Sequence, residues 1–177
     1  MIQPLKQLRL AAIISAILMI GGLARSLQPA EVPEFAVPAL GATNRVTAAA
    51  MIYPTSASRG DIVTLFVKVR VAPGHHIYAL EKPGTRNLPT SFETELPVST
   101  LRPEGPWRGP EPKVNEDGSR TFSGDLLFQR RFRVEPQAAT GACEAVLKLN
   151  FQVCNEALCW PPATIPLKFQ LKVERSR

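Results

Sequence analysis

The segment FQVCNEALCWPP, residues 151–162, holds two of the three cysteines, Cys154 and Cys159, with four residues between them. Apolar and polar residues alternate before it, over 145–153, and after it, over 165–173. A period of two is typical of half-buried β-strands. The cysteines are therefore predicted to lie where one strand ends and the chain turns toward the next. Such a turn can bring two Cα atoms within disulfide distance.

A disulfide between Cys154 and Cys159 would close a very small ring. Chain entropy gives such a ring only about 2 kcal/mol of stabilisation, near the low end for disulfides. A disulfide that closes a small ring within a turn is more easily reduced than a disulfide that links distant strands. Three interpretations stay open from the spacing alone: a redox-active pair, a structural bridge, and a metal site in which two thiolates form an incomplete zinc shell.

The start of the chain has the pattern of an export signal. Lys6 and Arg9 precede an apolar run over residues 10–24 that ends in small residues. This pattern predicts a signal peptide over residues 1–24. The run is shorter than the roughly 20 residues of a membrane span, and an uncleaved anchor formed by residues 10–24 is the alternative. Either outcome predicts a periplasmic or secreted domain, in a compartment where disulfides persist.

Charge and composition narrow the class of protein. Without residues 1–24 the chain keeps 19 of its 21 basic residues and all 15 acidic ones, a net charge of +4. The basic residues are spread along predicted strands and form no cluster interleaved with aromatics, so no nucleic-acid partner is predicted. Residues 25–47 form a predicted proline-rich linker. Residues 48–175 are long enough for one domain with its own core.

Short strand patterns separated by turn residues recur through this domain. They predict strands over 46–53, 62–71, 76–80, 91–96, 120–134, 145–153 and 165–173. Residues 103–118 are rich in proline and glycine and predict a long surface loop. Arg130 falls on the apolar parity of its strand, which predicts a bulge or a sheet edge nearby. The pattern is that of an all-β protein, an antiparallel β-sandwich.

The cysteine segment resembles a known active-site hairpin. Phe151-Gln-x-Cys154, a polar spacer and Cys159-Trp-Pro-Pro162 are similar to the hairpin in the N-terminal periplasmic domain of the thiol:disulfide interchange protein DsbD. Further segments resemble the same family in the same order: residues 72–78, 88–92 and 102–107. The resemblance covers residues 50–173. The spacer between the cysteines is one residue shorter than in well-known members. The family has a cap loop that shields its disulfide, and the segment predicted to correspond to it, residues 107–113, lacks the aromatic tip expected there.

The resemblance implies an immunoglobulin-like sandwich that carries out periplasmic thiol:disulfide exchange. Cys159 corresponds to the cysteine that bonds to the partner, Cys154 to the resolving cysteine, and Tyr78 to an active-site tyrosine. The implied partners are thioredoxin-like proteins or domains and a membrane electron conduit. The printed chain contains neither, so a separate polypeptide is expected to supply them. The domain would be a protein-disulfide reductase-type oxidoreductase or its electron carrier, with no cofactor and no metal.

Residues next to the cysteines are predicted to support them. His75 and His76 have opposite parity and would not share a metal. His76 is the candidate beside the cysteines, where a protonated imidazole would lower a thiol pKa. Pro161 fixes the backbone after the hairpin, and Trp160 either covers the sulfur, offers an apolar docking surface or packs in the core.

Two other functions remain open at this stage. The first is a secreted β-sandwich binding module in which the disulfide is structural. The second is a periplasmic copper or zinc carrier that uses the two thiolates with a histidine. The third cysteine, Cys143, shares the parity of Leu147 and Leu149 and is predicted to be a buried, unreactive thiol.

Overall fold

The computed structural model describes residues 33–37, 45–80, 88–95 and 100–175. These residues form twelve β-strands and no helix. The strand bounds are β1 Val46–Tyr53, β2 Ser56–Ser58, β3 Ile62–Val71, β4 His76–Tyr78, β5 Ser91–Glu95, β6 Leu101–Arg108, β7 Lys113–Val114, β8 Arg120–Phe122, β9 Asp125–Val134, β10 Gly141–Phe151, β11 Val153–Cys154 and β12 Ala163–Glu174. No helix able to cross a membrane occurs in the described ranges.

Two four-stranded sheets form the body of the domain. One has the strand order β1-β3-β9-β6 and is antiparallel throughout. The other has the order β2-β12-β10-β5, in which only the short β2 runs parallel to its neighbour. The fold is an immunoglobulin-like antiparallel β-sandwich, which confirms the fold predicted from the sequence.

The core lies between the inner faces of these two sheets. Alternation along each strand decides which residues point inward, because successive side chains of a strand lie on opposite faces. Inward residues that are at most 6% exposed occur along β3, β10 and β12: Val63, Leu65, Val67, Val69 and Val71 on β3, Leu147, Leu149 and Phe151 on β10, and Leu167, Phe169, Leu171 and Val173 on β12.

A third, smaller sheet has the strand order β11-β4-β8-β7. Three of its strands are short continuations of long sandwich strands: β4 follows β3, β8 precedes β9, and β11 follows β10. The turn before β4 contains Gly74 with φ of +72°, a conformation that glycine adopts without strain. This arrangement brings the cysteine segment beside β4.

The predicted loop over residues 103–118 is wrong, because β6 overlaps its first residues and β7 lies within it. Pro103 and Pro106 are compatible with β6 because it is an edge strand, where a missing N–H removes no ladder bond.

The predicted irregularity near Arg130 is confirmed. The pairing of β6 with β9 shifts between Glu104 and Arg108, and Arg130 Nε donates to Gly105 O at 2.9 Å.

The single strand predicted over residues 120–134 is two strands, β8 and β9. Gly124 separates them with φ of +73°, and its carbonyl accepts a hydrogen bond from Val71 N at 2.9 Å. The break lets β8 leave the large sheet and join the small one. It therefore supplies one strand of the sheet that carries the cysteines.

The predictions for the N-terminal region fall largely outside the described residues. All of the predicted signal peptide or anchor lies there, as does most of the predicted linker. Of that linker, residues 33–37 contact β3 through Phe35: Lys68 Nζ donates to Phe35 O at 2.9 Å and lies 4.7 Å from the centre of the Phe35 ring. The proposed domain limits stay predictions.

Candidate active site

The Cys154–Cys159 disulfide joins the two arms of a short hairpin at the end of β11. The sulfurs are bonded and the Cα atoms lie 4.0 Å apart. Backbone hydrogen bonds of 2.9 Å flank the pair, from Trp160 N to Val153 O and from Asn155 N to Leu158 O. The cysteines thus face each other as a non-hydrogen-bonded antiparallel pair, the arrangement in which Cα atoms approach most closely. Backbone pairing alone places the two sulfurs together.

The two sulfur-bearing residues differ in their access to solvent. Cys154 is only 1% exposed, because its arm of the hairpin is paired with β4. Cys159 is exposed, as are the neighbouring residues 156–158. A nucleophile on another protein can therefore approach Cys159, whereas Cys154 is covered.

The Tyr78 hydroxyl lies against both sulfurs. Its oxygen is 3.7 Å from Cys154 Sγ and 3.9 Å from Cys159 Sγ. Since neither sulfur of a disulfide carries a hydrogen, the hydroxyl is the donor in both contacts. Burial, and to a smaller extent the charge of Asp117, raise the pKa of Tyr78. The hydroxyl therefore keeps its proton at neutral pH and could donate it in a hydrogen bond to a thiolate formed on reduction.

His76 lies opposite Cys154 in the pairing of β4 with β11. Its ring packs edge-on against Tyr78, with centroids 5.6 Å apart. Burial is the main cause that lowers the pKa of His76; the charges of His75 and Lys113 lower it further, and Asp117 opposes them. The imidazole beside the disulfide is therefore held toward its neutral form.

The lowered pKa of His76 predicts a pH-dependent stability. The unfolded chain binds a proton at His76 more readily than the folded chain, so stability rises with pH across the interval between the two pKa values. We expect the free energy of unfolding to fall as the pH drops below about 6.5, the unfolded pKa. Urea unfolding from pH 7.5 to 5 measures it.

Two histidine variants make this measurement specific. His76→Gln should weaken the pH dependence below pH 6.5, since glutamine does not titrate. His75→Gln should retain most of it. An equal slope for the wild type and His76→Gln would contradict the prediction.

Trp160 is half-buried and has cationic or aromatic neighbours from distant parts of the chain. The Arg45 guanidinium carbon lies 3.9 Å from its ring centroid, a cation–π contact. The His75 ring lies 5.3 Å from it, and His75 Nδ1 donates to Pro73 O at 2.9 Å. Trp160 thus packs at the margin of the hairpin, against residues that precede β1 and β4.

The remaining predicted features occupy different places. Pro161 is exposed and leads from the hairpin to β12. The sequence prediction placed a cap loop over residues 107–113. In the structure the β7–β8 hairpin lies beside β4. Asp117 lies in the turn of this hairpin, and its charge acts on His76 and Tyr78. Cys143 has inward parity but is half-buried, because it sits near the start of β10.

Several residues at the site were not singled out from the sequence. Asn155 binds the backbone of the hairpin loop through its side chain. Gln152 donates from Nε2 to Trp160 O at 3.2 Å and accepts from Leu88 N at 3.3 Å. An asparagine at the start of a turn is a recognised local signal, so Asn155 was within reach of sequence reasoning. Arg45 and Asp117 gave no such signal, because only tertiary folding brings them here.

In the described residues, no further side chains complete a metal site with the two sulfurs. Those ranges contain no group of three or more His, Cys, Asp or Glu side chains that could hold a metal ion. The geometry instead presents one accessible sulfur, one covered sulfur and a hydroxyl donor to both. These are the parts that thiol–disulfide exchange uses.

Comparison with known proteins agrees with this geometry. The family model described as "Thiol:disulfide interchange protein DsbD, N-terminal" matches residues 43–170. No curated protein matches the chain. The N-terminal periplasmic domain of ScsB from Proteus mirabilis is similar in structure, with a TM-score of 0.50 and 17% identity over 75% of this chain and 49% of that chain. The present chain thus spans about half the length of that structure.

A second solved structure has a lower score. The reduced N-terminal domain of DsbD from Neisseria meningitidis has a TM-score of 0.40 and 20% identity, over 66% of this chain and 78% of that chain. The match of the family model extends over well more than half of the present chain and includes both hairpin cysteines, Cys154 and Cys159. The chain therefore belongs to the family of the N-terminal domain of the thiol:disulfide interchange protein DsbD.

Proposed function

We propose that this domain passes electrons between protein dithiols through the Cys154–Cys159 pair, in the periplasm. The observation that carries the proposal is the asymmetry of the disulfide. Cys159 is exposed on one arm of the hairpin, and Cys154 on the other arm is 1% exposed. A structural staple has no need of this arrangement, whereas exchange requires that one sulfur meet the partner while the other stays within reach.

Reduction would proceed in two exchanges. A thiolate of a partner dithiol attacks Cys159 Sγ; the Cys154–Cys159 bond breaks and Cys154 leaves as a thiolate. The partner's second thiolate then attacks the partner's sulfur in the mixed disulfide and releases the Cys159 thiolate. The partner becomes oxidised and this domain gains two electrons, and both thiolates can then take up protons. The same steps in reverse reduce an oxidised partner.

The surrounding residues have supporting roles in this proposal. The Tyr78 hydroxyl stabilises the Cys154 thiolate as it leaves, because a hydrogen bond to a charged acceptor is stronger than one to a neutral acceptor. His76 packs against Tyr78 and holds its ring. Trp160 and Pro161 fix the exit of the hairpin, so that Cys159 keeps one position.

The proposed partners are thioredoxin-like proteins or domains, with a membrane electron conduit as the source of electrons. The domain would act as a protein-disulfide reductase-type oxidoreductase or as its electron carrier. Residues 1–24 are proposed to direct export, either as a cleaved signal peptide or as an anchor through residues 10–24. The proposed sandwich domain spans residues 48–175, after the linker.

The equilibrium reduction potential of the disulfide tests the proposal. The purified chain is equilibrated against glutathione or dithiothreitol series, and the reduced fraction is measured by thiol alkylation. We expect a value of about −180 to −270 mV, the range of thioredoxin-like oxidoreductases. A value below about −300 mV would instead indicate a structural bridge, and the domain would then be a secreted binding module. Within the described residues no contact supports the metal-carrier alternative, since no group of three or more His, Cys, Asp or Glu side chains that could hold a metal ion occurs there.

Leu158 provides a separate prediction about partner recognition. Its side chain is 50% exposed and precedes Cys159. We expect Leu158→Ser to slow reduction by thioredoxin by roughly three- to tenfold, since the few residues that carry most of the binding energy cluster near the centre of an interface. Reduction by dithiothreitol, which needs no docking surface, should not change. Stopped-flow tryptophan fluorescence provides the rates.

Tyr53→Ser is the matched control for Leu158→Ser. Tyr53 is 53% exposed and pairs with Thr64, near the end of β3 opposite the one that leads to His76. This variant should react with thioredoxin at the wild-type rate. Equal slowing of the Leu158 variant toward both reductants would show that the substitution disturbs the disulfide and not the docking of a partner.

A further inference from the structure

The loop between the two cysteines is organised by one residue, Asn155. Its side-chain Oδ1 accepts hydrogen bonds from Ala157 N at 2.9 Å and from Leu158 N at 2.8 Å. Its backbone N–H donates to Leu158 O at 2.9 Å. Three hydrogen bonds therefore connect the residue after Cys154 to the two residues before Cys159.

The loop has no other local device that would fix its shape. Its sequence, Asn-Glu-Ala-Leu, contains neither glycine nor proline, the residues that most often shape tight turns. The side chains of Glu156, Ala157 and Leu158 are exposed. Within the part of the chain that the structure describes, Asn155 is the only side chain of this loop with a hydrogen bond.

These hydrogen bonds do not require the disulfide. When the disulfide is reduced, the covalent closure of the hairpin is lost. The two acceptors, Asn155 Oδ1 and Leu158 O, and the three N–H groups that bind them are still present. A loop that keeps its shape holds Cys154 directly opposite Cys159. A loop that opens lets the exposed arm move away, and the two sulfurs then meet less often.

We propose that Asn155 is a positioning residue for the redox pair: its side-chain oxygen keeps the reduced hairpin closed and Cys154 within reach of Cys159. The inference rests on the proposed function. In a mixed disulfide with a partner, the Cys154 thiolate attacks Cys159 Sγ. The Cys154–Cys159 bond forms, the bond to the partner breaks, and the partner leaves as a thiolate. Asn155 accelerates this closure and shifts the equilibrium toward the oxidised domain.

Substitution of Asn155 tests the proposal through the equilibrium constant for oxidation of the pair. Asn155→Ala removes the acceptor and two hydrogen bonds. We expect the equilibrium constant against dithiothreitol to shift about three- to tenfold toward the dithiol, from the usual net value of such bonds. Release of glutathione from the Cys159 mixed disulfide should slow by a similar factor. Intact-mass spectrometry measures both quantities.

Conservative variants separate positioning from a loss of side-chain bulk. Asn155→Asp retains an oxygen acceptor at the same place, and Asn155→Ser retains one on a side chain that is shorter by one atom; both should restore most of the equilibrium constant. The comparison is made in about 1 M salt, where the Debye length is about 3 Å and the added aspartate charge is screened. Glu156→Gln is the matched control in the same loop and should behave as the wild type.

The outcomes are distinguishable from a failure of the proposed function. An Asn155→Ala equilibrium constant equal to that of the wild type would overturn the inference, as would an equal loss in Asn155→Ala and Asn155→Ser. The oxidised variants should stay folded, since the disulfide itself closes the loop, and thermal melting of each variant checks this. A wild-type potential outside the oxidoreductase range would overturn the proposed function, yet the ratio between variants would still report on Asn155.

Discussion

A Cys154→Ser variant is expected to accumulate as a mixed disulfide through Cys159. The exposed Cys159 thiolate can still attack a partner disulfide, but no neighbouring thiolate remains to displace the partner. Since the lost resolution step is intramolecular, the mixed disulfide should persist longer than in the wild type by a factor on the order of 100 or more. Suitable probes are oxidised glutathione and a thioredoxin that lacks its own resolving cysteine and carries glutathione in a disulfide on the remaining one, so that each supplies the disulfide that Cys159 attacks and glutathione leaves as a thiolate. Non-reducing electrophoresis and intact mass detect the products.

The matched variant is Cys159→Ser. Its only hairpin thiol is then Cys154, which is 1% exposed in the oxidised protein, and it should form little mixed disulfide. Both variants are made in a Cys143→Ser background, because Cys143 is a half-buried free thiol that could react by itself. Trapping only in the Cys159→Ser variant would reverse the assigned roles of the two cysteines.

Truncation of the Phe128 side chain is expected to produce the largest loss of stability. Phe128 is 0% exposed and packs against Phe92 and Phe122, with ring centroids 5.2 and 5.3 Å apart. Phe122 pairs with Ile77 in the small sheet that carries the cysteines. Phe128→Ala should lower the free energy of unfolding by about 3–5 kcal/mol, the usual cost of an aromatic cavity. Urea unfolding of the oxidised protein measures it.

Leu127→Ala is the control on the same strand. Leu127 faces outward and is half-buried, so its truncation should cost only about 1 kcal/mol, the centre of the distribution for single substitutions. Equal losses in the two variants would mean that Phe128 does not connect the sandwich core to the small sheet as its contacts indicate.

Much of the fold was predictable because the alternation of apolar and polar residues and the positions of turn residues indicate the same strands along much of the chain. The strands on both sides of the cysteine hairpin and the central strand β3 follow a strict period of two. The predicted irregularity near Arg130 was also correct, because a cation on an apolar parity needs a nearby acceptor, which Gly105 O supplies.

Other elements could not be predicted because their local sequence opposes the structure that they adopt. β6 contains Pro103, Gly105 and Pro106, which are typical of a loop, and it is a strand only because the edge of β9 offers it hydrogen bonds. The break at Gly124 was hidden by the apolar alternation on either side of it. Tertiary pairing overrides weak strand propensity in such places.

The sequence by itself determined the antiparallel β-sandwich, the hairpin position of Cys154 and Cys159, and the family, since these follow from periodicity and from a local motif. The resemblance implied that Cys159 meets the partner, but only the tertiary structure decided that Cys159 is exposed and Cys154 buried. Pairing of β11 with β4 covers Cys154, and the same pairing brings Tyr78 and His76 beside the sulfurs. Burial depends on segments roughly 80 residues away in the chain, so no local pattern could have revealed it.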